Sequence, residues 1–586
     1  MLSFRPVTGE PASRAFEPDR WAILLVLGVH LTFFPYFPAM HSANEMSRLY
    51  LVEALVVDRD VEIDRALWQW GNVLDKSRVA SSHFSDKPPG TAFLAAPFVA
   101  LRQLLDGGGP DPAADMRVAR LAAGILPTLL LLLLLRREME SLGVSAPARA
   151  LCLATYGLGT LGFTYSVVFY GHQLTAVVLY ATWWTVRERP IRPARAAAAG
   201  FLAASCLAVE YQSAVFLVPL GVAFLARVRP LPAGLAAAVL GAAPVLAALG
   251  AYHSAAFGSP FRTGYSYLVD ARFAQVHEQG FMGVKYPQWK AIAASLFLPS
   301  PGLLVWSPFL ALGLAGLPAH AGALLRTGRG AGAIALRVLM VAMPLLFVSS
   351  MVYWAGGWTV GQRHLTPVVP FLVAPAAALV DRSAIARILA PGLAAASVMM
   401  TGIATVVFPH LPEWFGNPFH DLVLPLLREG CVASVWTEPA VGAAAVAAAA
   451  VGAFLLLAIG AVSAWRGGLA VKAAAVVLLA FLPLGWYDWT SRVQRDEPAE
   501  IADDVAWFRG QCRQAGRIEE APDAPRGQVH GAPPALPETP PGAAPRPGAA
   551  PRPGAAPRPG ATPFPDGTPF PGATPRPGGP PPRPLP

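Results

Sequence analysis

Two stretches near the start of the chain combine acids and bases at spacings suited to phosphate chemistry. In the first, Glu45, Arg48, Leu49, Val52 and Glu53 recur at i, i+3, i+4, i+7 and i+8, just after Asn44. On a helix they share one mixed face, with a carboxylate close to the end of an apolar run. The second reads His83-Phe-Ser-Asp86-Lys87-Pro88-Pro89 and leads into the apolar stretch Gly90–Leu105. The double proline ends any preceding helix and fixes an extended entry. Asp86 and Lys87 then stand just ahead of a segment lying on a membrane, where a lysine suits a lipid phosphate. The alternative for Lys87 is a snorkelling interfacial anchor.

Other candidates are scattered. Asp58, Asp60 and Asp64 form an acidic run that could take a proton or be a solvated turn. Arg363 lies in the glycine-rich stretch Trp354–His364, where backbone can approach a ligand closely; its alternative is an interfacial anchor. His172 opens one apolar run and Glu210 closes another. Ionisable groups at membrane edges are functional candidates, although each can equally be a satisfied interfacial residue, as can His83. The outward aromatics Trp68, Trp70, Tyr265, Tyr267, Trp289, Trp354 and Trp358 could stack on sugars or form an interfacial belt.

The elements that must position these groups follow from composition. Only 14% of the 586 residues are charged and 54% are hydrophobic, with mean hydropathy +0.45. So few charges cannot cover so much apolar surface in water, which excludes a cytosolic enzyme and a disulfide-rich secreted module and predicts an all-α polytopic membrane protein. Thirteen apolar runs of spanning length lie near 21–37, 116–135, 147–165, 169–186, 194–209, 211–226, 231–254, 301–318, 334–354, 364–380, 385–408, 439–464 and 469–487. If Gly90–Leu105 lies on the surface, the short loops holding Arg136, Arg137, Arg187, Arg189, Arg227, Arg326, Arg337, Arg382 and Lys472 all fall on one side. The positive-inside rule makes that side cytoplasmic. The net charge of +9 is thus a topological signal, and no nucleic-acid partner is implied.

The expected organisation is a cytoplasmic N-terminus (1–20), a membrane domain (21–487) whose first outward loop spans 38–115, a short outward segment (488–520) and a disordered Pro/Gly/Ala-rich tail (521–586). Cys431 and Cys512 both fall outside and are expected to form a disulfide; Cys152 and Cys206 sit within helices as apolar filler.

Asn44-Glu45, Arg48, Glu53 and Asp86-Lys87-Pro88-Pro89 together resemble the first outer loop of the protein O-mannosyltransferase and aminoarabinose-transferase branch of the GT-C glycosyltransferases. The resemblance implies juxtamembrane helices over about thirteen spans in a bacterial inner membrane. It implies inverting transfer from a polyprenyl-phosphate-linked sugar donor to a lipid, protein or glycan acceptor on the non-cytoplasmic face. A base takes the acceptor proton, for which Glu45 is the first expectation and Asp86, Asp58, Asp60 and Asp64 are alternatives. Cations stabilise the leaving phosphate: Lys87, Arg363 and Arg48. The family places an aspartate where Asn44 stands, and an amide cannot take a proton. No cofactor is required by the resemblance, and a divalent cation is left open. Two rivals remain: a transporter or flippase for a lipid-linked sugar, and a catalytically inactive GT-C-like scaffold.

Overall fold

The computed structural model describes residues 17–33, 42–187, 189–432 and 441–514. Most of the expected N-terminal segment and the whole Pro-rich tail lie outside them. Within the described residues, each of the thirteen apolar runs overlaps helical structure; positions 34–37 and 439–440 of two runs lie outside them. Among the described residues, six helices are long and apolar enough to cross a membrane: Pro112–Ser141, Leu231–Phe257, Ala331–Ser350, Arg363–Arg382, Ala384–Val407 and Leu469–Ser491. Shorter apolar helices occupy Pro193–Val209, Ser213–Arg227 and Ala448–Ala464, so helix length by itself does not reach the expected count of about thirteen crossings. The run at 301–318 departs most, splitting into Leu303–Trp306, Leu310–Ala315 and Leu317–Arg326. Pro308 and Pro318 lack the backbone N–H a continuous helix would use.

The segment Gly90–Asp106 is one helix of 17 residues, about 25 Å long, and is not among the six. It buries Thr91, Ala92, Ala95 and Val99 and exposes Leu94, Phe98, Leu101 and Leu105. That is two apolar faces, one toward protein and one outward. Its first residue must be glycine: a Cβ on Gly90 would lie 2.6 Å from the Ala208 carbonyl.

Two expectations need correction. The first outward loop is not all helical. It contains an antiparallel hairpin, β1 (Lys76–Val79) and β2 (Ser82–Ser85), joined by Ala80 and Ser81, with Ala80 at φ 54°. Such two-residue turns call for positive φ, because only then does the turn match strand twist. Second, Arg337 is not in a loop. It lies inside Ala331–Ser350, 1% exposed, paired with Glu138.

A satellite core fastens the first outward loop to the helix ends. Met46, Leu49, Val52, Ile63, Phe84, Ala95 and Val99 of that loop pack with Met116, Phe169, Leu174, Tyr252 and Phe257. The helix Ala43–Glu53 is buried over all but its first residue, which fixes the polar side chains of the first motif within a protein interior.

Candidate active site

The hairpin positions the lysine. Its register pairs Lys76 with Ser85, so Asp75 and Asp86 face each other at the open end. Lys87 follows immediately, and its Nζ lies 2.9 Å from Asp75 Oδ2 and 3.1 Å from Asp86 Oδ2. The second outward segment braces this end. Ser77 Oγ donates to the Gly264 carbonyl at 2.7 Å and Arg78 N to the Tyr267 carbonyl at 2.8 Å. A Cβ on Gly264 would come within 2.9 Å of Asp86 Cα, which explains glycine there. Burial would lower the Lys87 ammonium, but Asp75 and Asp86 outweigh it and raise it above its ordinary value. Burial pushes Asp86 up to about 6 against the opposing pull of Lys87. Asp86 Oδ1 has no hydrogen-bond partner among the described residues.

Arg363 arrives from the far end of the chain. Gly356 and Gly357 adopt φ of +87° and +73°, and Gln362 caps the turn that begins at Arg363 by accepting from His364 N at 3.4 Å. The guanidinium stands 5.7 Å from the Tyr170 ring centre. Arg363 Nε is buried and has no hydrogen-bond partner among the described residues. Around it gather Tyr165, Tyr170, His172 and His364, with the two imidazoles 5.2 Å apart. The positive charges of Arg363, Arg48 and Lys87 all reach His172, and those of Arg363 and Lys87 reach His364. Asp75 acts electrostatically on Arg363, Tyr170 and Tyr353 as well as on Lys87. Lys87, Asp75, Arg363, His172 and His364 therefore form one electrostatic cluster.

The first motif supports this cluster from one side. Glu45 accepts two bonds from Arg120, at 2.9 and 2.8 Å, and one from Phe169 N. His410 Nε2 is 3.1 Å away. Burial would raise this carboxyl, but Arg120 and His410 hold it at about 2. A carboxylate so weakly basic and so fully engaged is a poor proton acceptor. Arg48 is likewise committed: Nη2 meets Glu210 at 2.8 Å, Nη1 the Pro88 carbonyl at 3.2 Å, and Nε the Asn44 amide oxygen at 3.2 Å. Asn44 thus holds Arg48, and Arg48 holds the Lys-Pro-Pro turn against Glu210.

The remaining candidates lie elsewhere. Asp58 pairs with Arg65 at 2.7 Å, and Asp60 accepts from Val61 N at 2.6 Å. His83 Nδ1 meets Asp64 at 2.6 Å and anchors the hairpin. Glu53 shares Gln103 with Asp115, and burial together with that second carboxyl raises it.

Asp75, Arg120, His410 and Glu413 escaped the sequence reading. Burial raises Glu413, which accepts from Tyr353 at 2.6 Å. For Asp75 a signal existed: it and Asp86 are equidistant from the Ala80-Ser81 turn. No spacing rule could have linked His410 to Glu45, 365 positions before it in the sequence. No group of three or more potential metal ligands occurs among the described residues. The cysteines at 431 and 512 form a disulfide with a Cα–Cα distance of 5.9 Å.

No protein-family model and no curated protein matches the chain. Among solved structures it is similar to ArnT from Cupriavidus metallidurans in the apo state, at 13% identity and a TM-score of 0.39, covering 83% of this chain and 79% of that one. ArnT from the same source bound to undecaprenyl phosphate gives 15%, 0.38, 83% and 80%. The oligosaccharyltransferase AglB from Archaeoglobus fulgidus, in complex with an inhibitory peptide and a dolichol-phosphate, gives 12% and 0.36, with 77% of this chain matched to 56% of that one. ArnT, an aminoarabinose transferase, and AglB are both GT-C superfamily members.

Proposed function

We propose that the protein is an integral membrane glycosyltransferase of the plasma (inner) membrane. It would transfer a sugar, with inversion, from a polyprenyl-phosphate carrier to an acceptor hydroxyl on the non-cytoplasmic face. The observation that supports this reading is that Lys87, held by Asp75 at 2.9 Å, and the buried Arg363, 5.7 Å from the Tyr170 ring centre, come from segments 276 positions apart in the sequence and both lie within electrostatic reach of His172 and His364. Arg363 has no carboxylate partner among the described residues. Two such cations suit a phosphate whose negative charge grows as it leaves. Gly90–Asp106, with its outward apolar stripe, then lies on the membrane beside Lys87 and guides the prenyl chain.

The base is reassigned from Glu45 to Asp75. When donor phosphate engages Lys87, the lysine turns away from Asp75, whose carboxylate is left to receive the acceptor proton. The acceptor oxygen attacks the anomeric carbon, the bond to the phosphate oxygen breaks, and the phosphate leaves with its electron pair. Asp86 stays behind Lys87 and positions it. Arg48 becomes a positioning residue for the same turn.

The inactive-scaffold reading is favoured by Asn44, an amide at the place of the family's aspartate. One experiment separates the two: transfer from radiolabelled polyprenyl-phosphate sugar by wild type, Lys87→Ala, Arg363→Ala and Asp75→Asn. Turnover lost in all three with folding intact supports the transferase. Turnover absent from wild type with every donor tried supports the scaffold.

A further inference from the structure

The helix Pro498–Gln514, which follows the last spanning helix, buries one stripe. Ile501, Val505, Phe508 and Cys512 recur at i, i+4, i+7 and i+11, and all four are buried. The stripe docks on the segment 408–432. Cys512 is bonded to Cys431, Arg509 pairs with Glu429, and Trp414 Nε1 donates to Asp504 Oδ2 at 3.1 Å. Just ahead of the helix, Gly416 N donates to Asp496 Oδ2 at 2.9 Å and Arg495 pairs with Asp421. The helix is therefore clamped along its length to one segment.

That segment in turn grips the loop that carries Arg363. The Phe508 ring, 2% exposed, has its centre 6.2 Å from that of Trp358 and 5.1 Å from that of Phe408. Trp358 meets Trp414 edge-on at 5.2 Å. Thr359 N donates to the Leu411 carbonyl at 2.8 Å, and Tyr353 donates to Glu413 at 2.6 Å. Between these contacts, His410 reaches Tyr170 and Glu45 at 3.4 and 3.1 Å. The loop needs such a brace. Gly356, Gly357 and Gly361 all adopt positive φ, and glycines leave a chain wide conformational freedom. Arg363 Nε has no hydrogen-bond partner among the described residues, so its guanidinium is aimed mainly by the backbone that carries it.

We propose that Phe508 is a positioning residue for the phosphate site. The helix Pro498–Gln514, locked by the Cys431–Cys512 bond, holds Trp358 through Phe508 and thereby aims Arg363 at the donor phosphate. This rests on the reading of Arg363 as a phosphate ligand. Phe508 touches no reactant; it removes alternative loop conformations, so that binding has less ordering to impose.

The test uses the full chain in detergent and reads equilibrium binding of polyprenyl phosphate and hydrogen exchange. The variants are Phe508→Ala, Arg363→Ala, the two combined, and Lys87→Ala. Phe508→Ala should weaken binding by about fivefold or more in the wild-type background and by less than about twofold in the Arg363→Ala background. General destabilisation would weaken both backgrounds alike, and that result overturns the inference. Exchange in 354–364 should rise in Phe508→Ala while exchange in Ala43–Glu53 stays as in wild type. If Phe508→Ala does not fold, Trp358→Leu tests the same contact from the loop side with the same expectations. Equal affinity in Phe508→Ala and wild type overturns the inference; loss of binding in Lys87→Ala in the same series leaves the transferase reading standing. A wild type that binds no polyprenyl phosphate removes the transferase reading and this inference with it, whereas the exchange result then still reports whether the helix braces the loop.

Discussion

Replacing Glu45 by glutamine separates a structural carboxylate from a catalytic one. The side chain is 3% exposed and its Arg120 partner 2%. Its carboxyl is held at about 2 rather than 4.5, a difference worth about 3 kcal/mol in favour of the folded state. Because the folded value is the lower one, this stability is fully present above pH 4.5 and is lost as pH falls toward 2. Glu45→Gln also leaves the Arg120 guanidinium buried without its counter-charge, and breaking a buried pair from one side costs about 3–5 kcal/mol. Thermal unfolding in detergent, followed by tryptophan fluorescence, should show Tm falling by roughly 5–10 °C. Adding Arg120→Gln should recover part of that loss, because it removes the uncompensated charge. Turnover per folded molecule should fall far less than for Lys87→Ala. A Tm within about 1 °C of wild type together with abolished turnover would refute this reasoning and return Glu45 to the role of proton acceptor.

Other expected outcomes follow from the same geometry. Lys87→Ala and Arg363→Ala should each reduce kcat per folded molecule by about 10²–10³-fold, measured by transfer assay and thermal unfolding on the same preparations; Lys87→Ala should also lower Tm, because it leaves Asp75 and Asp86 without their cation. Asp75→Asn should lower kcat over the whole pH range, whereas Asp86→Asn should chiefly raise KM for the donor by freeing Lys87 from its fixed position. In the folded state Asp86 keeps its proton up to about pH 6 rather than 3.8, so its contribution to stability declines as pH rises between those values. Asp86→Asn should remove that decline in a pH series of thermal melts. Cys431→Ser with Cys512→Ser opens a link across a sequence separation of 81 and should cost up to about 4 kcal/mol, read as a Tm reproduced in wild type by reductant.

Helical architecture was legible because an apolar run of spanning length must satisfy its own backbone groups in lipid, and a helix does so within one segment. The six described helices of spanning length, each overlapping an apolar run of the sequence, reflect that constraint. Positive-inside bookkeeping misplaced Arg337, since loop and helix end look alike when a buried carboxylate 199 positions away supplies the partner. The Lys-Pro-Pro turn stood out, but its hairpin did not. Four-residue strands of serine, histidine and charged side chains carry little alternation, and their pairing is enforced by Phe84 and by the second outward segment. Glu45 was read as reactive because sequence shows a carboxylate and hides its partners. Arg120 and His410 reach it only through the packing of distant helices. Asn44 illustrates the converse: an amide unfit for proton transfer serves well as the acceptor that orients Arg48.

Equilibrium binding of polyprenyl phosphate to wild type, Lys87→Ala and Arg363→Ala probes the two-cation phosphate site most directly. If both side chains grip the phosphate, each substitution weakens binding at least tenfold, and the doubly substituted protein retains only the affinity of the prenyl chain. Equal affinity in all of them, with each protein folded, would contradict a phosphate held between Lys87 and Arg363.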